Sequence, residues 1–304
     1  MTGRLDAWIR VVRVKFFLAG VPSVSLGIAL SWHLAGIFDP LYFSLTLFGV
    51  IFAMAGCYTF NEYFDLRVDK AVREEDITPY SAGSRVLPKG LLRSLSVLRA
   101  GIGFWLLAFI IGVYLTITKG WPVIPLTLAG FLAGAFYAAP PFKFAYRGAG
   151  EALIGLTYGP LITLGSCYVQ LAGLPPLGQV ILASLVPGFL ITAVIWINEF
   201  PDFFADKKMG KKNLVVRMGR RKAGRVYALL LTAPYISLVV GVSLRLFPPA
   251  ALMALLTLPI AHKNIATVRR KYDKPRELIP AMSGTILLFA LSTFLLAAGF
   301  LVPL

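Results

Sequence analysis

The chain has 304 residues, 58% of them hydrophobic and 14% charged, and carries a net charge of +16. Soluble domains hold about 25% charged residues, so this composition excludes an ordinary water-soluble fold and identifies a membrane protein. Both cysteines, Cys57 and Cys167, lie inside apolar runs, which leaves neither a disulfide framework nor a zinc site.

The chain begins MTGRLDAWIRVVRVKFF, a basic amphipathic stretch with no small-residue cleavage site, so no removable signal peptide is expected. Nine apolar runs follow, at 16–36, 41–60, 97–118, 121–139, 151–172, 179–198, 226–246, 249–266 and 281–303. Each approaches the length that crosses a ~30 Å hydrocarbon core, so the expected fold is an all-α membrane bundle of nine transmembrane helices. Glycine, serine and alanine within the runs allow helices to approach closely in lipid. No segment shows the ~10-residue alternation of a membrane barrel.

Charge is sorted by loop. Of the 30 Lys and Arg, 28 fall on the N-terminal tail and on or beside the connections after the second, fourth, sixth and eighth runs. Only Lys119 and Arg245 fall on the opposite side. This asymmetry places the N-terminus and the basic loops in the cytoplasm of a multi-pass protein, with the cell membrane the expected location. Anionic membrane lipid accounts for the basic excess, and nucleic acid is not expected as a partner.

Nine of the 14 acids lie in two short windows, 62–76 and 199–206. There the pattern Asn-Glu-x-x-Asp-x-x-x-Asp-Lys occurs twice, at 61–70 and 198–207, offset by 137 positions. Four crossings separate the copies, so both emerge on one face, consistent with a parallel internal repeat. Within each copy the Asn and two Asp stand at i, i+4 and i+8, one stripe of a helix. Each aspartate would cost ~2.5–3.5 kcal/mol at mid-membrane, so the stripes belong at the cytoplasmic edge, facing an aqueous cleft. Solvated loop carboxylates are the plainer reading of one copy, but two copies of matching spacing call for a shared ligand.

Clustered Asp and Asn oxygens without nearby His or Cys are hard ligands suited to Mg²⁺; His33 and His262 stand alone. A magnesium ion keeps open positions that phosphate oxygens fill, so facing stripes read as a diphosphate site. The metal is needed: a diphosphate oxygen ~6 Å from one carboxylate is repelled by ~3 kcal/mol at an effective dielectric near 20.

The paired motifs resemble those of the UbiA superfamily of intramembrane prenyltransferases, and the similarity runs over nearly the whole chain as one domain, 1–304. It is most specific in "YAAPPFKFAYRGAGE" (137–151), "GPLITLGSCYVQ" (159–170) and "NEFPDFFADKKMGKKNLVVRMG" (198–219), which resemble the menaquinone branch, the 1,4-dihydroxy-2-naphthoate polyprenyltransferases. Where family members commonly have Arg-Pro in the N-terminal segment, this chain has Arg13-Val14.

The resemblance implies Mg²⁺-dependent transfer of a polyprenyl group from a prenyl diphosphate to an aromatic acceptor, with loss of a carboxyl group in the naphthoate branch. It implies Asp65, Asp69, Asp202 and Asp206 as catalytic metal ligands, joined by Asn61 and Asn198. Arg85, Tyr137, Lys143, Arg147 and Arg13 become diphosphate-binding candidates, although ordinary positive-inside charge is the plainer account of the cations. Phe60, Tyr63 and Tyr137 are candidates to shield an allylic cation, although interface anchors are the plainer reading of aromatics near a membrane boundary. Pro201, inside the second motif, is expected to bend its helix near Ile197 and open the cleft. Sister reactions on 4-hydroxybenzoate or a glycerol phosphate lipid are the alternatives. A cation-coupled transporter is the remote one, since that class favours inverted repeats and mid-membrane acids.

Overall fold

The computed structural model describes residues 2–302, and the regular structure among them is entirely helical. Helix α1 (Thr2–Val12) lies against α3 (Pro40–Phe64). Its apolar face, Ala7 and Val11, packs on Val86, Leu87 and Leu92 of a later connection. The chain then breaks at Arg13, whose backbone is left-handed at φ 55° and ψ 46°. A 3-10 segment, Val14–Ala19, leads into α2 (Gly20–Ala35), which Gly36 ends in the left-handed conformation.

Helix α3 (Pro40–Phe64) starts on Asp39, whose carboxylate accepts from Leu41 N at 2.9 Å and Tyr42 N at 3.3 Å. Gln170, far along the chain, holds that turn by exchanging hydrogen bonds with the Asp39 backbone at 2.7 and 3.1 Å. After the short α4 (Leu66–Ala71) and a long connection come α5 (Ser94–Lys119) and α6 (Val123–Ala135). Helices α3 and α5 approach closely because Gly56 leaves room for the Trp105 indole and Gly101 for Thr59 and Phe60.

Helices α7 (Gly150–Leu156) and α8 (Ile162–Leu171) form one span, interrupted by a π turn over Thr157–Leu161 that contains Pro160. Proline lacks the N–H that a regular turn would use there, so the wider turn costs no bond at that residue. Next come α9 (Leu177–Lys208), α10 (Leu214–Met218), α11 (Arg220–Ser243), α12 (Leu258–Lys271) and α13 (Ile279–Leu301). The 3-10 segment Pro249–Thr257 precedes α12 within the same span.

Eight of these helical stretches are long and apolar enough to cross a membrane. The expected span at 121–139 is the exception in length. Its helix has only 13 residues, about 20 Å at 1.5 Å per residue against a ~30 Å hydrocarbon core. Phe136 ends it shortly before Pro140 and Pro141, which cannot continue a helix. The chain turns back instead, with Ala145 N donating to Tyr137 O at 2.9 Å.

The main core forms around α9, which buries Leu190, Ile197 and Phe200 against α2, α11 and α13. Pro201 does not interrupt this helix, which runs unbroken to Lys208. His33 packs edge-on against Phe300 at 5.2 Å.

Candidate active site

The two acidic motifs lie at the ends of α3 and α9. In α9 the expected stripe of Asn198, Asp202 and Asp206 is continuous. In the first copy it is stepped: α3 ends at Phe64, Asp65 stands at the junction with φ −91° and ψ 3°, and Asp69 belongs to α4. Backbone bonds still bridge the step, from Asp65 N to Asn61 O and from Asp69 N to Asp65 O, both at 2.9 Å. The junction turns Asp65 toward residues that the motif itself does not contain.

Tyr146 Oη donates to Asp65 Oδ1 at 2.7 Å, and Lys211 Nζ approaches Asp65 Oδ2 at 3.3 Å. The same ammonium lies 3.9 Å from Asp206 Oδ1. Lys211 thus bridges one carboxylate of each motif. Burial alone would lower its pKa, but Asp206 and Asp65 outweigh that effect and hold it well above the ordinary lysine range. Asn213 completes the arrangement: its amide donates to Asp206 Oδ2 at 2.8 Å while its oxygen accepts from Val216 N, starting α10.

The connection between α4 and α5 folds over the other two aspartates. Ala82 N donates to Asp202 at 3.1 and 3.3 Å, and Gly83 lies directly against the Asp69 carboxylate. A Cβ on Gly83 would collide with that carboxylate, and its φ of 65° also favours glycine. Burial, then the nearby Asp65 and Glu62 charges, push the Asp69 carboxyl well above the usual carboxylate range. Glu62 pins the loop, accepting from Ser84 N at 2.8 Å, Ser84 Oγ at 2.6 Å and Arg13 Nη2 at 2.9 Å. Its counterpart Glu199 is buried beside Glu151, which accepts from Leu214 N and so holds the start of α10.

The sequence-derived cations are distributed around this centre. Arg13 reaches it through Glu62; Arg85 donates to the Asp69 carbonyl at 2.5 Å and lies 3.6 Å from Glu74. Lys143 Nζ sits 5.1 Å over the Tyr146 ring, one side chain away from Asp65. Arg147 is exposed, with its guanidinium on the Pro141 carbonyl at 3.2 Å. Sequence reasoning did not single out Lys211, Tyr146 or Asn213. All three lie inside the two quoted stretches after α6 and α9, yet their meeting depends on packing across up to 146 positions.

A cavity of about 1080 Å³ opens beside Asn61, Asn198 and Arg13 and continues between the helices. Its walls are largely apolar, with Tyr58, Tyr137, Tyr158 and Trp105 near the motif end. Tyr137 therefore faces this space. Phe60 and Tyr63 do not line it, packing instead on Phe64, with Phe60 also against Trp105. The first is held there by the close approach of α3 to α5 at Gly101.

Three buried oxygens of the two motifs have no hydrogen-bond partner among the described residues: Asn61 Oδ1 and Asn198 Oδ1 beside the cavity, and Asp206 Oδ1 further along α9 near Lys211. Unpaired buried acceptors are costly, so they mark places for a cation or donor. Among the described residues no three His, Cys, Asp or Glu side chains close into a ready metal cage. Lys211 stands between Asp65 and Asp206, while Asp69 and Asp202 face the loop at 82–83.

These features define a membrane-spanning helical bundle whose two acidic motifs meet beside an apolar cavity. Residues 21–283 match the UbiA prenyltransferase family, and the chain belongs to that family of prenyl-transferring enzymes. It is 29% identical to 1,4-dihydroxy-2-naphthoate octaprenyltransferase of Escherichia coli (strain K12), over 96% of each chain. It is 24% identical to 2-carboxy-1,4-naphthoquinone phytyltransferase of Synechocystis sp., over 96% of this chain and 92% of the relative. Among solved structures, a UbiA homolog from Aeropyrum pernix K1 superposes with a TM-score of 0.71 at 15% identity, covering 94% of this chain and 96% of that one. A UbiA homolog from Archaeoglobus fulgidus bound to DMAPP and Mg²⁺ gives 0.56 at 15% identity, covering 95% and 98%.

Proposed function

We propose that this enzyme transfers a polyprenyl group from its diphosphate to 1,4-dihydroxy-2-naphthoate, within menaquinone biosynthesis, and that it requires Mg²⁺. The observation that carries the reading is the meeting of both acidic motifs at the mouth of the apolar cavity. A polyprenyl diphosphate has matching halves: an anionic head for the polar end and an apolar tail for the helix-lined space. The naphthoate relatives favour that acceptor over 4-hydroxybenzoate or a glycerol phosphate lipid.

The oxygen-only donor set and the three unpaired buried oxygens fit a hard divalent cation. Asp65, Asp69, Asp202 and Asp206 would hold it with Asn61 and Asn198, and when bound it would neutralise charge on the departing diphosphate. Lys143, Arg85 and Arg13 border this place, Tyr137 lines the cavity beside it, and Arg147 is exposed on the loop that carries Lys143. They supply charge-assisted or hydroxyl hydrogen bonds to the diphosphate oxygens.

In the reaction the allylic C–O bond breaks and its electron pair leaves with the diphosphate. The acceptor ring carbon bearing the carboxylate provides the pair for the new C–C bond. That carboxylate leaves as CO₂, returning its pair to the ring. Tyr58, Tyr137 and Tyr158 present ring faces or hydroxyls to the space where the allylic cation forms, and the apolar walls exclude water from it. The charge asymmetry of the loops supports a cell-membrane protein with this site on the cytoplasmic side.

The test is incubation of purified protein with Mg²⁺, a series of prenyl diphosphates and each of the three acceptors, followed by mass spectrometry of the lipid products. Prenylated, decarboxylated naphthoate is expected. Product from another acceptor alone would overturn the naphthoate assignment, and absence of any metal-dependent product would overturn the reading.

A further inference from the structure

The ammonium of Lys211 stands 3.3 Å from Asp65 and 3.9 Å from Asp206, joining the first acidic motif to the second. Its side chain is only 16% exposed, and it shares this space with Tyr146, whose hydroxyl takes the other Asp65 oxygen. Its neighbour Lys212 is exposed and has no ion pair among the described residues. The difference comes from the turn after α9, where Lys211 N donates to Asp206 O at 2.8 Å and carries the side chain back over the acids.

Four carboxylates gathered in a largely buried space repel one another, and a buried anion left unpaired is strongly disfavoured. One internal cation between the motifs relieves that repulsion before any ligand arrives. The same ammonium lies beside Asp65 Oδ2 and Asp206 Oδ1, on two of the aspartates that would hold a divalent ion, the latter oxygen without a hydrogen bond.

We propose that Lys211 is a resident counter-ion that holds the two motifs together in the metal-free enzyme and yields Asp65 and Asp206 when a divalent cation binds. The inference rests on reading the paired motifs as a divalent-cation site. Metal binding then carries the cost of displacing an ammonium, so Lys211 sets an upper limit on cation affinity in the absence of substrate. The released ammonium remains beside the site, within reach of an incoming diphosphate. A long flexible stem with a point charge can make that exchange; a planar guanidinium holding two oxygens at once would resist it.

The experiment is a titration of the purified, detergent-solubilised full chain with Mn²⁺ and no prenyl substrate, followed by the loss of the free-ion electron paramagnetic resonance signal. Lys211→Met should bind Mn²⁺ about tenfold to a hundredfold more tightly than the unaltered chain, the factor set by one charged hydrogen bond. In chelator, the same variant should melt at a lower temperature, and Mn²⁺ should close the gap. Lys212→Met should match the unaltered chain in both measurements. Lys211→Arg keeps the charge and serves where Lys211→Met does not fold; it should bind no more tightly than the unaltered chain. Unchanged or weaker binding by Lys211→Met, or tighter binding by Lys211→Arg, overturns the counter-ion role while leaving the metal site standing. Binding by none of the chains overturns both, whereas tight binding by Lys211→Met alone supports both.

Discussion

Arg13 and Glu62 meet across 49 positions, the guanidinium giving Nη2 at 2.9 Å and Nε at 3.3 Å to a single oxygen of the buried carboxylate. Glu62 spends its remaining capacity on Ser84, through the backbone N–H and the hydroxyl. That junction fixes a loop whose next contacts are Ala82 on Asp202 and Gly83 on Asp69. The motif glutamate thus positions aspartates of both copies without facing the cavity itself.

Glu62→Gln should therefore loosen the loop while leaving the bundle inserted. Removing one partner of a buried ion pair costs ~3 kcal/mol at the lower end of the usual range, and Arg13 is partly exposed. In membranes, protease cleavage between Pro79 and Lys89 should speed by about a hundredfold. Unchanged cleavage would show that Glu62 does not hold the loop.

Asp65→Asn and Asp202→Asn keep side-chain volume and remove one charge from each motif. Both should lower product formation by about a hundredfold or more if the carboxylates hold the divalent cation, with helical content preserved in circular dichroism. Substantial activity in both variants would remove the acidic motifs from the reaction.

Lys143 and Arg147 lie four residues apart yet have different surroundings. Lys143 stands over Tyr146 beside the Asp65 carboxylate, and Arg147 is exposed on a backbone carbonyl. Lys143→Ala should lower kcat/KM for the prenyl diphosphate by about tenfold to a hundredfold, and Arg147→Ala by less. Steady-state rates over a range of donor concentrations at saturating acceptor check this; equal effects would argue that both cations reach the diphosphate.

Sidedness is tested by single cysteines at Lys212 and Leu174, both exposed at opposite ends of α9. An impermeant thiol reagent should label position 212 only from the cytoplasmic side and position 174 only from the other. The reverse pattern would invert the proposed topology.

The sequence by itself determined the membrane class, the nine apolar runs and the two acidic motifs, because hydrophobic length, loop charge and residue spacing are local properties of the chain. Its resemblance to a family extended this to the chemistry. Packing decided what followed from nonlocal contacts: the stepped first motif, the short α6, the outward turn of Phe60, and the choice of Lys211 over Lys212 to face Asp65. A basic residue in a basic loop looks like its neighbours in one dimension. Only the turn after α9, returning Lys211 N to Asp206 O, brings that side chain over the Asp65 carboxylate, 146 positions away in the chain, and makes its charge specific.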